Sequence, residues 1–179
     1  NSARGNYSGD NLSYTNTEIS AGNQAFLQSG ANTSLIGASV AANQITADVG
    51  GNLTIQTLQD RSNYTSNQQS TSASVSIPIY GAGSASANIS ASQSRINSNY
   101  ESVNQQSGLM AGNGGFDVAV AGNTSLTGAV ISSSDAAVAN GLNSFKTASL
   151  TLQDLKNSAT YSASSQSVSL GAGMNAGQG

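Results

Sequence analysis

Short runs in which apolar and polar residues alternate recur along this chain, and each predicts a β-strand. The clearest run contains Leu53 and Ile55 and follows a pair of glycines. Because the side chains of a strand point alternately to its two faces, such a run is typical of a strand with one buried face. Residues 149–161 repeat residues 52–64, with Leu150 in the place of Leu53. The chain therefore contains an internal duplication, which favours a repeat architecture.

A triplet of two small residues and an asparagine lies beside many of these runs. The first four triplets end at Asn23, Asn32, Asn43 and Asn52, in steps of 9, 11 and 9 residues, so every second asparagine lies 20 residues on. Glycine and asparagine tolerate the left-handed conformation of a tight corner, and asparagines of successive coils can share hydrogen bonds. We therefore predict an all-β fold, a right-handed parallel β-helix with about 20 residues per coil.

The regular strands predict a thin, continuous core inside the coils. Each coil would bury its apolar side chains against those of its neighbours. At about 20 residues per coil, roughly 110–130 residues would make roughly six coils, each adding about 4.8 Å. The residues expected in one buried column are Leu27, Leu35, Val40, Ile45, Leu53, Ile55, Val118, Val120, Leu126, Val130, Leu150 and Leu152.

Residues 64–103 contain none of these triplets. We predict that residues 64–108 form a long β-hairpin that protrudes from the coils or flanks them. Val75 lies in one alternating run and Ile89 in another, with a glycine-rich turn at residues 81–83 between them. Pro78 fits an edge or exit position. Because few of its side chains are apolar, this hairpin should be the more mobile part of the molecule.

The duplication divides the chain into four predicted segments. Residues 1–63 are the coils of the first copy, and residues 64–108 are the hairpin. Residues 109–161 are the coils of the second copy, and residues 162–179 begin a second hairpin.

The second copy also carries an insertion. Residues 123–129 repeat residues 32–38 with one substitution at an offset of 91, whereas Leu150 follows Leu53 by 97. Six additional residues therefore lie around residues 133–140, where a short helical turn or a bulged corner is expected.

Composition narrows the classes of function. Only 7% of the residues are charged, 5% are aromatic, and cysteine and histidine are absent. A disulfide framework and a thiolate metal site are therefore excluded. The five basic residues are spread singly, so nucleic acid is not an expected partner. The chain opens without a leader, so we expect it to be an excerpt from a longer protein. It contains no apolar run of about 18 residues, so no membrane helix is predicted.

The same composition argues against catalysis. Serine is plentiful, but histidine is missing, which leaves a serine paired with Lys146 or Lys156 as the remaining nucleophile arrangement. The eight acidic residues share no period, and Asp60 and Asp154 follow strands, where solvated turn carboxylates are common. We predict that the chain is not an enzyme and has no catalytic, cofactor-binding or metal-binding residues.

Three segments occur in a distinctive order. They are SAGNQAFLQSGANTSLIGASV at residues 20–40, DVGGNLTIQTLQDRSNY at residues 48–64 and NQQSGLMAGNGGFDVAVAGNTSLTGAVIS at residues 104–132. Together they resemble the haemagglutinin repeat of the filamentous haemagglutinin family. The resemblance implies a very large exoprotein of Gram-negative bacteria, exported by two-partner secretion. Members of this family are adhesins, and many resemble contact-dependent growth inhibition effectors, which end in a toxin.

The resemblance also implies a role for the segment. In such effectors the repeat block is implicated in carrying the toxin across the outer membrane of the target cell, and the family offers no catalytic residues. The implied location is the bacterial cell surface. The implied partners are the outer-membrane transporter during export, neighbouring repeats of the same chain and the target-cell outer membrane. The charge-poor alternation of the hairpin fits the last partner, because membrane-spanning strands carry a similar pattern.

Two other functions stay open from the residues. An adhesive rod that binds host-cell glycans or matrix would show a stripe of exposed aromatic side chains, and the six tyrosines are scattered along the sequence. A carbohydrate-active β-helix enzyme is the third alternative.

Overall fold

The computed structural model describes residues 2–76 and 85–174, and most of them lie in β-strands. In chain order the elements are β1 (Ser2–Leu12), β2 (Thr17–Ser29), β3 (Thr33–Ile36), β4 (Ala38–Val49), β5 (Leu53–Gln56), β6 (Asp60–Ser76), β7 (Ala85–Ser102), β8 (Gly108–Val120), β9 (Asn123–Thr127), β10 (Val130–Ser132), α1 (Asp135–Ala139), β11 (Ser144–Lys146), β12 (Ser149–Gln153) and β13 (Ser158–Met174). The predicted all-β class is therefore confirmed.

Two compact units divide these elements. The first unit contains the described parts of residues 1–11, 61–100 and 159–179, and it holds one sheet in the order β1-β6-β7-β13. The second unit contains residues 12–60 and 101–158, and it holds two sheets. The long parallel sheet has the order β10-β8-β4-β2, with β11 also on β8, and the short parallel sheet has the order β12-β9-β5-β3.

Strand pairing in both parallel sheets follows the predicted period. Ile45 lies beside Ala25, 20 residues earlier, and Ile55 lies beside Leu35 at the same separation. The duplicated copies meet where β4 pairs with β8 and β5 pairs with β9, which brings Val40 beside Leu109. Apolar side chains are thus stacked in columns that run across the strands.

The core of the second unit is formed by both parallel sheets together. Ile45, Ile55 and Val118 are fully buried, and Leu27 and Leu35 pack against them while partly exposed. The buried apolar residues of this cluster are Val40, Ala42, Ile45, Ala47, Val49, Leu53, Ile55, Leu109, Val118, Val120 and Leu126.

Two residues of the predicted core are exposed. Leu150 and Leu152 on β12 are 47% and 67% exposed, although Leu152 stands in the column of Leu35, Ile55 and Leu126. The prediction was wrong for these two because β12 is an edge strand, so no described strand covers its outer side.

The parallel sheets contain fewer strands than the predicted coils, roughly six in number, would supply. Each parallel sheet is four strands deep, because β10 and β11 both lie beside β8 and form one level. The residues in the connections between strands, including those of α1, add no further strand to the depth of either sheet.

The triplets occupy two different environments. Those ending at Asn32 and Asn52 lie between strands of the two parallel sheets, and the one ending at Asn123 leads into β9. Those ending at Asn23 and Asn43 lie inside β2 and β4, where the register shifts. The left-handed conformation predicted for their glycines is not observed, and the described glycines with positive φ are Gly37, Gly115, Gly128 and Gly141.

Close packing explains why the corner triplets nevertheless need glycine. A Cβ atom on Gly50 would lie 2.7 Å from the carbonyl oxygen of Gly30, and one on Gly51 would lie 2.7 Å from the backbone nitrogen of Asn32. Successive corners therefore approach each other backbone to backbone.

The predicted asparagine ladder is present at the same corners. The side-chain oxygen of Asn32 accepts the backbone N–H of Asn52 at 2.9 Å, and that of Asn52 accepts the backbone N–H of Asn123 at 2.9 Å. The side-chain oxygen of Asn123 then accepts the hydroxyl of Ser149 at 2.7 Å. Each side chain thus satisfies a polar group at the next corner.

The insertion in the second copy forms the predicted helical turn. Leu152 follows Leu126 by 26 residues, against 20 between Leu35 and Ile55 at the corresponding step of the first copy. Helix α1 lies in this longer connection. The Ser134 side chain caps it by accepting the N–H of Ala137, and Gly141, with φ of 63°, follows its end.

The strands of the first unit run antiparallel. The side chain of Ser70 bonds to that of Ser92, and Ser72 bonds to Ser90, so residue numbers rise along β6 as they fall along β7. This is the pairing expected of a hairpin, while its predicted turn at residues 81–83 and Pro78 lie outside the described residues. Strand β1 completes the sheet, although its polar sequence shows no period.

Candidate functional site

Of the acidic and basic residues considered for catalysis, Asp60 makes structural hydrogen bonds. Asp60 accepts the backbone N–H of Tyr14 at 2.7 Å and a side-chain N–H of Asn104, so its carboxylate joins segments of the second unit. Asp154, Lys146 and Lys156 are exposed. Within residues 2–76 and 85–174, no group of three or more acidic side chains is placed to hold a metal ion.

Most side chains of the antiparallel sheet are exposed, so its two faces are the candidate functional surface. Ser70, Ser72 and Gln68 point to one face, and the Gln68 amide donates a hydrogen bond to the Tyr7 hydroxyl. Asn67 points to the opposite face, where its side-chain oxygen accepts from the Arg95 guanidinium at 3.0 Å.

Four tyrosines lie on the face that carries the serines, and we call them the tyrosine row. Each strand contributes one: Tyr7 from β1, Tyr64 from β6, Tyr100 from β7 and Tyr161 from β13. Their side chains are 62%, 42%, 46% and 71% exposed, respectively.

Strand register brings the row together. The antiparallel pairing of β6 with β7 places Tyr64 beside Ser98, and a shared surface cavity lined by both also contains Tyr161. Gly9 of β1 is a neighbour of Tyr64, since a Cβ atom added to Gly9 would lie 3.6 Å from Tyr64 Cδ2. The tyrosines that are scattered in sequence therefore form a stripe across the sheet.

An apolar patch lies on the opposite face. Val75, Ile89, Val168 and Leu170 are 70%, 56%, 55% and 70% exposed, and they alternate along β6, β7 and β13 with residues of the serine-bearing face. Gly171 contacts the Asn88 side chain, which places Leu170 next to Ile89. Exposed apolar side chains that cluster in this way are typical of an interaction surface.

Charge is nearly absent from these strands. Residues 62–76 and 158–174 contain no charged residue, and residues 85–100 contain only Arg95. No helix among the described residues is both long and apolar enough to cross a membrane.

Sequence reasoning did not find the tyrosine row. The alternation in β6 and β7 assigns Tyr64 and Tyr100 to faces of their own strands. It does not show which residues of β1 and β13 lie beside them, because that depends on strand order and register. The equivalence of Tyr64 and Tyr161 in the duplication was the available signal.

An all-β repeat module is the class of protein that these sheets and columns define. Residues 1–71 match the family model described as hemagglutinin repeat. The chain is 43% identical over 173 residues to a deoxyribonuclease CdiA of Yersinia pseudotuberculosis, which covers 97% of this chain and 16% of the relative. It is 44% identical over 180 residues to a toxin CdiA of Escherichia coli, covering 99% of this chain and 6% of the relative.

A tRNA nuclease CdiA of Escherichia coli is 39% identical over 173 residues, covering 97% of this chain and 5% of the relative. No solved structure matches the chain. The chain therefore spans less than a fifth of these relatives. The predicted resemblance to a haemagglutinin-repeat region of the filamentous haemagglutinin and contact-dependent growth inhibition type is confirmed.

Proposed function

We propose that this chain is a structural repeat module of a large secreted bacterial surface exoprotein and takes part in delivering a toxin across the target-cell outer membrane. The main support is that relatives named for different nuclease activities share this region, at 43% identity for the deoxyribonuclease and 39% for the tRNA nuclease. A region common to different activities fits a delivery role and not catalysis.

The fold that we propose for the second unit is a right-handed parallel β-helix. The parallel pairing at separations of 20 residues supports it, as does the core shared by the two parallel sheets. The module would then act as a stiff spacer. Its other partners would be neighbouring repeats and, during export, the outer-membrane transporter.

The antiparallel sheet is the part that we assign to the target membrane. A charge inside a bilayer is costly, and long stretches of β6 and β13 carry none. The apolar patch of Val75, Ile89, Val168 and Leu170 supplies exposed aliphatic groups. Burying such groups in hydrocarbon is favourable by about 0.8 kcal/mol per CH₂ group.

Substitutions in the parent exoprotein test this role. Ile89→Lys and Leu170→Lys together should lower toxin entry into target cells, because two charges would have to leave water. Val138→Lys is the control, since Val138 is 63% exposed but lies on α1 in the second unit. Secretion and attachment should not change in either variant. Normal toxin entry with the double variant would contradict the membrane role.

An adhesive function is the second candidate, and the tyrosine row favours it. Tyrosine combines a flat apolar ring with a hydroxyl, which suits it to exposed binding surfaces. Purified chain carrying Tyr64→Ala and Tyr161→Ala should lose binding to host-cell glycans or matrix, and Tyr14→Ala should not, because Tyr14 lies in the second unit. Equal binding by the wild-type chain and both variants would exclude this function for the tyrosine row.

A further inference from the structure

The ring of Tyr7 leans over Gly5 on the serine-bearing face of the antiparallel sheet. A Cβ atom added to Gly5 would lie 3.4 Å from Tyr7 Cε2, 3.4 Å from the Tyr7 hydroxyl oxygen and 3.6 Å from Cζ. The outer end of the ring therefore occupies the space that a larger side chain at position 5 would fill. The Tyr7 side chain is still 62% exposed, so much of its surface is open to a ligand.

A hydrogen bond from the neighbouring strand holds this ring in place. The Gln68 amide on β6 donates to the Tyr7 hydroxyl on β1, and the two strands are paired in the sheet. Contact with Gly5 at one side and this bond at the tip together restrict the ring before any ligand arrives. An ordered aromatic ring loses little conformational freedom on binding, which favours affinity.

An open cavity of about 410 Å³ adjoins the ring and lies within the first unit. Its volume is within the range of ligand pockets, roughly 300–1,000 Å³. Hydroxyl and amide groups line it, and they belong to Gln68, Ser70, Ser92 and Ser94. Arg4 is the one charged residue among the described residues that line it.

The polar groups of this cavity can both donate and accept hydrogen bonds. The hydroxyls of Ser70 and Ser92 bond to each other, which uses only one of their two hydrogens. The Tyr7 hydroxyl accepts from Gln68, so its own hydrogen can still be donated. An aliphatic ligand would leave these groups unpaired, and an anion would need mainly donors and cations.

A sugar ring matches this combination of groups. Each of its hydroxyls donates and accepts, as the cavity requires. One face of a pyranose ring consists largely of C–H groups, and this face can pack on the apolar surface of a tyrosine ring.

We propose that this cavity binds a pyranose ring of an uncharged saccharide, with its C–H face on Tyr7 and its hydroxyls on Gln68, Ser70 and Ser92. The proposal rests on the adhesive function proposed for the tyrosine row and names the ligand of that surface. Gly9, two residues after Tyr7, is a neighbour of Tyr64. Because two residues of a strand span about 6.6 Å, a saccharide of two or more rings reaches from Tyr7 to Tyr64.

Two probes distinguish the possible sources of such a saccharide. Titration calorimetry of the purified chain with lacto-N-neotetraose tests a neutral host-type glycan, and titration with a neutral bacterial O-polysaccharide tests the surface of another bacterium. Binding of either probe supports the proposal, and binding of neither overturns it. Arg4→Gln should change the affinity less than about twofold, because an uncharged ligand does not need the guanidinium. Loss of binding in Arg4→Gln would indicate an acidic ligand and overturn the proposed class.

Two variants test the position of the ring. Tyr7→Ala should weaken binding by about tenfold or more, because it removes the aromatic anchor. Gly5→Val should weaken binding similarly by displacing the ring. Gly173→Val is the matched control in the same sheet, since a Cβ atom on Gly173 would meet no atom within 4 Å. Thermal unfolding of each variant checks that the fold is retained. Unchanged affinity in both Tyr7→Ala and Gly5→Val overturns the proposal.

The adhesive function and this site can fail separately. If Tyr64→Ala with Tyr161→Ala abolishes binding and Tyr7→Ala does not, the adhesive function stands and the Tyr7 site is wrong. If the wild-type chain binds neither probe nor host cells, both are wrong.

Tryptophan fluorescence locates the ligand directly, because the chain has no tryptophan. The bound saccharide should shift the emission of Tyr7→Trp, since it would exclude water from the indole ring. Tyr14→Trp is the control and should not respond, because Tyr14 lies in the second unit. Unchanged emission from a Tyr7→Trp chain that still binds the saccharide would place the ligand elsewhere and overturn the proposal.

Discussion

The side-chain oxygen of Asn52 accepts the backbone N–H of Asn123 at 2.9 Å, although 71 residues of chain separate the two. This hydrogen bond joins the two copies of the duplication at a corner of the second unit. The bond from Asn52 to Asn32 repeats the contact one level earlier. The asparagine spacing visible in the sequence therefore corresponds to a physical connection between levels.

Removal of this connection should destabilise the second unit. Asn52→Ala leaves the backbone N–H of Asn123 without its partner, so we expect the free energy of unfolding to fall by about 1–2 kcal/mol. Asn23→Ala is the control, because Asn23 belongs to a triplet inside β2 and not to the ladder. Urea unfolding of both variants measures the difference. Equal stability losses would show that the ladder bond contributes nothing specific.

A buried hydroxyl makes a second connection between levels. Thr57 Oγ1 accepts the N–H of Ser107 at 2.9 Å and donates to the carbonyl of Gly128 at 2.8 Å, and Thr57 is 2% exposed. Thr57→Val keeps the shape but leaves the Ser107 N–H without its partner, at a cost of about 1–3 kcal/mol, whereas the Gly128 carbonyl still accepts from the Gln106 side chain. Thr151→Val, at an exposed site, should change stability by less than about 0.5 kcal/mol. Amide exchange at Ser107 should accelerate only in the first variant.

Alanine substitutions at the glycines of two triplets should differ in their effect on stability. A Cβ on Gly51 would lie 2.7 Å from the Asn32 nitrogen, whereas one on Gly22 meets no atom within 4 Å. Gly51→Ala should therefore lower stability by about 1–3 kcal/mol through overpacking. Gly22→Ala should be neutral or slightly stabilising, because alanine reduces the freedom of the unfolded chain. Thermal unfolding of the pair distinguishes close packing from a general need for glycine.

Two residues of one apolar column should differ strongly in their contribution. Ile55→Ala removes a fully buried side chain and should cost about 2–5 kcal/mol. Leu152→Ala removes a side chain that is 67% exposed and should cost less than about 0.5 kcal/mol in the monomer. The measurement is urea unfolding at a concentration where the chain is monomeric. A large loss for Leu152→Ala in a monomer would mean that β12 is covered.

Several features follow from the sequence because local chemistry decides them. The 20-residue spacing of the triplets predicts that Ile55 stacks on Leu35, since strand length and corner sequence set the length of a coil. The six additional residues in the second copy predict a local insertion, and Ser134 supplies the cap that starts α1 there.

Tertiary structure alone decided the features that depend on neighbours distant in the chain. Leu150 has the same pattern as Leu53, yet it is 47% exposed against 2%, because burial requires a further strand on the outer side of β12. Strand β1 has no hydrophobic period, and its backbone hydrogen bonds to β6 place it in the sheet. The tyrosine row likewise depends on strand order and register. A periodic sequence determines which face of a strand a side chain occupies, but the side chain's neighbours are set by hydrogen bonds between strands far apart in the chain.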